Sequence, residues 1–443
     1  MSATLQLAER IVALGEDELN EEAASVAGQC LLDWFGVALR GAQEPVADIL
    51  AGELAGGNHG AHTLVGRSER ADLIDAALIN GAIGHALDYD DAIPAALGHA
   101  TVPVAPVVLG LGAELGASGE RALRAFLAGY ETECAIGGYF GEKHYARGYH
   151  ATGTIGTFGA AAAAALLLGL DAGQTARALS LAATQASGLK SLFGSMGKPL
   201  HAGRAAADGL LAARLVARGF DSIADGLEVR QGAGHVLAGN EPDEAISLDR
   251  FGEQIRGTLF KYHAACYGTH APIEAARDFR SAHGAERIEA VDIHVGSMAI
   301  DMCNIEDPSS PLECKFSLRQ TVAMALAGID TSGLDSYSAE VAAAPELADL
   351  RGKMNVIGGF EDHTGIMSAK LEIKTGAGET LEFYRDMGRP NDDLDDQQRR
   401  LEAKYDALAA PVLGDAADAL KSAILNLRQT PDVRQLMRLA APA

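Results

Sequence analysis

Aromatic residues are scarce, at 5% of 443 positions with a single Trp, and positive charge is short: 36 Lys and Arg stand against 60 Asp and Glu. The formal charge of -24 at pH 7 repels nucleic acid and anionic membrane surfaces unless basic side chains are concentrated locally, and no run of Lys and Arg does so. Five cysteines, Cys30, Cys134, Cys266, Cys303 and Cys314, are an odd number without a C-x-x-C pair. That spacing fits neither a disulfide framework nor a zinc cluster, so a reducing cytoplasm is the expected home. The N-terminus lacks a basic segment followed by an apolar one, and no secretory signal is expected. The longest apolar run, Ala160 to Leu168, is too short to cross a bilayer, so no membrane partner is expected either. Hydrophobic content of 48% against 22% charged excludes disorder and leaves room for two domains, or one large domain with an insertion.

What is abundant is Ala, Leu and Gly at helical spacing, with hardly any alternating β-branched run before Phe220. The pattern predicts helices over Leu5–Ala13, Glu21–Leu39, Val46–Ala55, Ala71–Leu87, Val102–Leu115, Gly119–Gly138, Thr152–Leu168, Ala172–Ala186 and His201–Arg218. Many have small residues on every face, as in GTIGTFGAAAAAALLLG, and such helices pack closely on several neighbours. From Phe251 the texture changes. RIEAVDIHVGSMAIDMC, MNVIGGFED and SAKLEIKTGAGETLEFYRDM alternate apolar and polar residues and read as strands, with FSLRQTVAMALAG between them as a helix. After the acidic GRPNDDLDDQ the helical pattern returns over Gln397–Leu408, Asp415–Leu427 and Asp432–Leu439. The expected architecture is mainly α: residues 1–250 with 396–443 as a large all-helical domain, and 251–395 as a smaller inserted α+β lid domain.

One stretch carries chemistry that packing does not explain. GHALDYDD places His85 and Asp88 on one helical face, with Asp90 and Asp91 just past the expected helix end and His99 ahead of the next helix. Acids at a helix C-terminus face the negative end of the dipole, which points to function for Asp88; Asp90 and Asp91 could equally form a turn or cap. His85, Asp88, Asp90, Asp91 and His99 could together ligate a divalent ion, yet their spacing matches no standard signature, and no metal is expected. In YHATGTIGTFG, His150 stands at a helix start where backbone amides could receive a carboxylate, although a cap or core role is commoner for a lone His. Its glycines follow no strand and do not form G-x-G-x-x-G, so close packing explains them better than dinucleotide binding. GSMGKPLHAGRAA is not a nucleophile elbow. It offers Lys198 before Pro199, then His201 and Arg204 on a first helical turn, where a bound anion would relieve the repulsion between cations and the helix dipole. FKYHAACYGTHAP adds Lys261, His263, Cys266 and His270, with Cys266 read as pocket lining rather than nucleophile. Lys315, ahead of a further helix in PLECKFS, is a further anion contact or a solvated charge.

Taken together, ALDYDDAIPAALGHATVPVAP, HYARGYHATGTIGTFGAAAAAALLLGL, LFGSMGKPLHAGRAAADGLLAARLVARGF, KYHAACYGTHAPIEAA and LECKFSL resemble, in order, the motifs of the MmgE/PrpD family, which includes 2-methylcitrate dehydratases, cis-aconitate decarboxylases and iminodisuccinate epimerases. The resemblance spans nearly the whole chain. It implies a helical domain built from both chain ends, an α+β lid, a homodimer, and no metal or organic cofactor. Carried over position by position, it implies pocket residues Asp88, His99, His150, Lys198 and Lys261. The wording of SMGKPLHAG and GYHATGTIG is closer to the epimerase and decarboxylase branches than to the long dehydratases. Three positions depart from the decarboxylase pattern: Ala92 for a threonine, Cys266 for a histidine and Gln320 for a tyrosine.

The reactions so implied share one step, formation or protonation of a carbanion beside a carboxylate. That step needs preorganised positive charge shielded from water and a proton carrier of suitable pKa. Asp88, His99, His150 and Lys198 are therefore expected to be catalytic, with Lys261, His201, Arg204, Cys266 and Gln320 around a small anionic di- or tricarboxylate. A non-catalytic carboxylate-binding protein would need many of the same cations and is the competing expectation.

Overall fold

The computed structural model describes residues 2–55, 60–360 and 367–442. The end of the expected strand MNVIGGFED, Glu361 and Asp362, lies outside the described residues, as do the two chain ends. The chain is mostly helical with a small mixed sheet, and its contacts divide it into two units: 2–260 with 393–442, and 261–392.

The first unit runs α1 (Ala3–Ala13), α2 (Glu21–Gly41), α3 (Pro45–Leu54), α4 (Leu73–His85), α5 (Thr101–Leu115), α6 (Gly119–Ala146), α7 (Ala151–Leu168), α8 (Ala172–Ala183) and α9 (Gly197–Ala217). It is not purely helical. Two short antiparallel strands, β1 (His62–Thr63) and β2 (Arg70–Ala71), pair ahead of α4. Helix α6 outruns the expectation because the chain continues in helix past a non-helical Gly141 (φ 61°, ψ -173°). Helix α7 is 18 residues long and apolar enough to meet the length criterion for a bilayer span, which the shorter run Ala160 to Leu168 concealed by leaving out its Gly and Thr residues. Its surface is already used, since every residue from Ala151 to Ala165 is buried within the protein.

Small residues decide how near these helices come. A Cβ at Gly203 of α9 would lie 2.2 Å from the Leu78 carbonyl oxygen of α4, so only glycine permits the crossing. That crossing brings the C-terminal end of α4, which carries His85, near the first turns of α9. Trp34, Phe35, Phe126, Tyr130, Phe140 and Phe158 fill the interior, where a large ring buries the most surface.

The second unit contains α10 (His270–His283), α11 (Ser297–Cys303), α12 (Pro311–Lys315), α13 (Leu318–Ala327), α14 (Ala339–Ala342) and α15 (Pro345–Arg351). Its sheet has the order β4-β3-β5-β6, from β3 (Ile288–Val295), β4 (Met354–Ile357), β5 (Ser368–Thr375) and β6 (Thr380–Asp386). Strands β3 and β4 are parallel, the other pairs antiparallel. The strand expected over RIEAVDIHVGSMAIDMC stops at Val295, because Gly296 takes an extended N-cap conformation and SMAIDMC turns into α11. Helix α10 was not expected; its polar residues, RDFRSAH, hid an apolar stripe of Ile273, Ala276 and Phe279. The chain then returns to the first unit as α16 (Leu394–Leu413), α17 (Ala416–Leu425) and α18 (Arg434–Leu439).

Candidate active site

Four segments of the first unit meet at the end of α4. The helix stops at His85, earlier than the expected Leu87, and the Asp88 amide bonds back to the His85 carbonyl at 3.2 Å. Asp88 itself is left-handed (φ 50°), a conformation that Asp and Asn tolerate better than other side chains. The segment is then pinned by a bridge between Ala92 and Leu259 and another between Ile93 and Gly98. Asp90 and Asp91 form neither an exposed turn nor a cap, since both are fully buried.

Asp90 is the centre of the cluster. Both of its oxygens lie 3.0 Å from His85 Nδ1, and Oδ2 lies 2.9 Å from His99 Nδ1. His99 Nδ1 also lies 2.8 Å from the Asp91 carbonyl oxygen, so it faces two acceptors and no donor. The proton of neutral His99 must therefore sit on Nδ1, which leaves the Nε2 lone pair pointing away, 3.8 Å from Asp88 Oδ1. Burial would raise the Asp90 carboxyl, but the positive field and the hydrogen bonds that the His85 and His99 rings turn toward it outweigh burial and hold the group well below the usual carboxylate range.

Lys198 completes this face, its Nζ 2.8 Å from Asp88 Oδ1. Helix α9 begins at Gly197 rather than His201, so Lys198 is in its first turn and His201 in its second. On the other side, His150 caps α7 by position without a side-chain cap bond, and its amide donates to Gly188 at 3.0 Å. Its Nδ1 lies 3.1 Å from His201 Nδ1, and its ring stacks over His85 with centroids 5.8 Å apart. Gly188 is required at that turn, because at φ 133° a Cβ would strain the backbone and press on the His201 ring. The His99 amide donates to Thr152 Oγ1 at 3.1 Å, tying the loop to the first turn of α7.

Burial keeps three of the imidazoles, His85, His150 and His201, neutral. Burial, reinforced by Lys198 and His99 and opposed by Asp90, pushes His85 down to about 4. Burial and then the neighbouring His85, Lys198, His99 and His201 push His150 down to about 2. Burial also lowers His201. The result is three neutral imidazoles beside the Lys198 ammonium and one partly exposed carboxylate, Asp88.

The MmgE/PrpD N-terminal domain profile matches residues 5–245, and the C-terminal domain profile matches 263–429. This chain belongs to the MmgE/PrpD family. Among family members it is 26% identical to a cis-aconitate decarboxylase of Homo sapiens, over 82% of this chain and 78% of that protein. It is 24% identical to a cis-aconitate decarboxylase of Aspergillus terreus, over 96% and 93% respectively, and 25% identical to a cis-aconitate decarboxylase-like protein of Aspergillus oryzae, over 99% and 97%.

Of the positions singled out in the sequence, Asp88, His99, His150, Lys198 and His201 are brought together. Arg204 is not. Two steps of three residues turn it about 120° around α9 from Lys198, onto an exposed face where it pairs with Asp208 at 2.5 Å. Lys261, Cys266 and Gln320 belong to the second unit. There Lys261 is buried, Cys266 Sγ meets the Cys303 thiol, and Gln320 Oε1 accepts from Arg351 at 2.5 Å. His263 is held by Glu274 at 2.7 Å and Thr331 at 2.8 Å, and His270 by the Ala265 carbonyl at 3.3 Å, so both are internal fasteners of that unit.

His85 and Asp90 carry more of the site than their sequence positions suggested. A shared carboxylate between two histidines shows only once the loop is folded. Phe193 was not expected at all; its ring stands edge-on to His150 with centroids 4.9 Å apart, and lies 5.5 Å from Lys198 Nζ.

The donor atoms of His85, Asp88, Asp90 and His99 lie within 4.8 Å of one another, a grouping that the sequence spacing did not resolve into a metal signature. They fit a cation poorly. Both Nδ1 atoms present N–H groups rather than lone pairs to Asp90, and the Lys198 ammonium already stands against Asp88.

Proposed function

We propose that this protein is a cofactor-independent lyase or isomerase that moves a proton at the carbon next to a carboxylate in a small di- or tricarboxylate. The observation that carries this reading is the pair of acceptors at His99 Nδ1, which fixes the tautomer of the neutral ring. With its Nδ1–H engaged by Asp90 and the Asp91 carbonyl, its Nε2 is a free base aimed at the side of the site that Lys198 occupies.

In the proposed mechanism a substrate carboxylate takes the Lys198 ammonium from Asp88. Nε2 of His99 removes the adjacent C–H proton, and the electron pair of that bond enters the carboxylate as an enediolate, stabilised by Lys198. Of the neutral pair His150 and His201, joined Nδ1 to Nδ1, one ring donates its Nδ1–H to the other, and the accepting ring is left with an Nε2–H that donates to the substrate without adding charge. Three outcomes follow from this intermediate type. Expulsion of hydroxide from the next carbon is dehydration, and delivery of a different proton to the opposite face by a second acid, while His99 keeps the one it removed, is epimerisation. For decarboxylation the order changes: carbon dioxide leaves with its C–C electron pair on carbon, and an imidazolium supplies the proton. The relatives named above support decarboxylation, whereas Ala92, Cys266 and Gln320 at the three departures favour a different acid or a different outcome.

The test is incubation of the protein with a panel of di- and tricarboxylates in deuterated water, following deuterium incorporation, carbon dioxide release and product by NMR. Conversion or exchange is expected with at least one acid. His150→Ala and Lys198→Ala should each lower the rate by about two orders of magnitude or more. Binding without exchange across the panel would favour a carboxylate-binding protein, and unimpaired rates in both variants would remove this site from the chemistry.

A further inference from the structure

We propose that Lys404, on helix α16 near the C-terminus, is a positioning residue that holds the 88–91 loop in its working shape; its effect on turnover rests on the function proposed above.

The loop sends its side chains two ways. Asp88 and Asp90 meet Lys198, His85 and His99, while Tyr89 and Asp91 are buried in the body of the first unit. Directly against Tyr89 is a lysine that is 2% exposed. Its Nζ donates to the Tyr89 carbonyl oxygen at 2.7 Å, meets Asp33 Oδ1 of α2 at 2.5 Å, and sits 3.8 Å from the centroid of the Tyr89 ring.

Helices α2 and α16 do not need this ion pair in order to pack. A buried pair loses hydration on both partners, and apolar residues of the same volume hold two helices together as well or better. What the ammonium does that an apolar side chain would not is grip the carbonyl of Tyr89, in the peptide unit that leads into Asp90. A grip is needed there. Asp88 is left-handed, a conformation that persists in a non-glycine residue only when its surroundings impose it. The Asp90 carboxylate must also keep both imidazoles within 3.0 Å. A rotation of the Tyr89 peptide unit would change the backbone torsions that aim Asp90 at the two imidazoles. Asp33 then has a defined task, which is to keep the buried Lys404 charged and aimed.

The test compares Lys404→Met, Asp33→Asn/Lys404→Met and wild type. The double variant removes both charges together, so no unpaired buried charge remains to unfold the protein. Turnover on whichever acid the panel identifies is expected to fall 10- to 100-fold in both, with KM changed less than about threefold, because Lys404 touches no substrate. Independently of any substrate, the low-field Nδ1–H resonances of His85 and His99 should shift in 15N-histidine spectra. The resonance of His144, which is held by the Leu237 carbonyl at 3.0 Å and Thr154 at 2.7 Å, serves as an internal control and should stay in place. If the wild-type protein converts nothing, the imidazole spectra alone decide, so failure of the reaction class is separable from failure of the brace. Unchanged His85 and His99 resonances in the double variant would overturn the proposal. So would an equal shift at His144, which would mean general loosening.

Discussion

Replacing Asp90 by Asn changes one atom in the middle of the cluster and should disable it. The carboxylate now accepts from Nδ1–H of both His85 and His99, at 3.0 and 2.9 Å. The amide keeps one oxygen and offers an NH2 where the second acceptor was. One imidazole must then present a lone pair at Nδ1, which moves its proton to Nε2. If that ring is His99, the atom proposed as the base is already protonated. Each hydrogen bond to the charged carboxylate is worth about 1.5–3 kcal/mol, and both are lost or weakened. A barrier increase of about 3–5 kcal/mol corresponds to a fall in turnover of roughly 10²- to 10⁴-fold, the range in which loss of the aspartate in a Ser-His-Asp triad also lies, at about 10⁴. The assay is deuterium exchange or conversion at saturating carboxylate, with 15N-histidine spectra reporting the tautomers. Activity within threefold of wild type, with His99 still protonated on Nδ1, would refute the tautomer reasoning and with it the role of His99.

Two further expectations follow from the same cluster. His85 is fully buried and its pKa in the fold, about 4, lies below the 6.5 of the unfolded chain, so the unfolded state takes up the extra proton as pH drops between those values. Its contribution, roughly 3 kcal/mol for a shift of that size, is complete above about pH 6.5 and is lost as pH falls toward 4. Denaturant titrations at pH 7 and 5 should show about 2 kcal/mol of that loss from His85, added to a contribution from His150, which is also held far below 6.5. His85→Asn, which keeps a donor for Asp90 without titrating, should reduce the dependence, and an unaltered slope would count against it. Activity should survive prolonged treatment with a strong chelator, since Lys198 stands against Asp88 where a cation would be drawn. Loss of turnover restored by one divalent metal would replace the acid–base scheme with a metal-assisted one.

The helical pattern between α1 and α9 was legible because small and apolar residues recur at a period that only a helix satisfies, and most ends were off by a few residues. The misses have physical causes. α9 starts four residues early because Lys198 and Pro199 occupy its first turn, where proline's missing N–H is harmless. The strand over 287–303 was carried too far because SMAIDMC alternates in polarity but follows a glycine in capping geometry. Arg204 was grouped with Lys198 and His201 by nearness in sequence, although helical rotation and Asp208 turn it away.

By itself the sequence determined which chemistry was available: imidazoles, lysines and clustered acids in small-residue surroundings, together with the ordered motifs of the family. Tertiary structure decided which of those groups work on one another. Whether two histidines share a carboxylate, which nitrogen holds the proton, and whether a lysine more than 300 residues away grips the loop between them depend on approaches of about 3 Å between segments distant in the chain. No local periodicity encodes such distances, because they are set by how closely glycine and alanine let the helices approach.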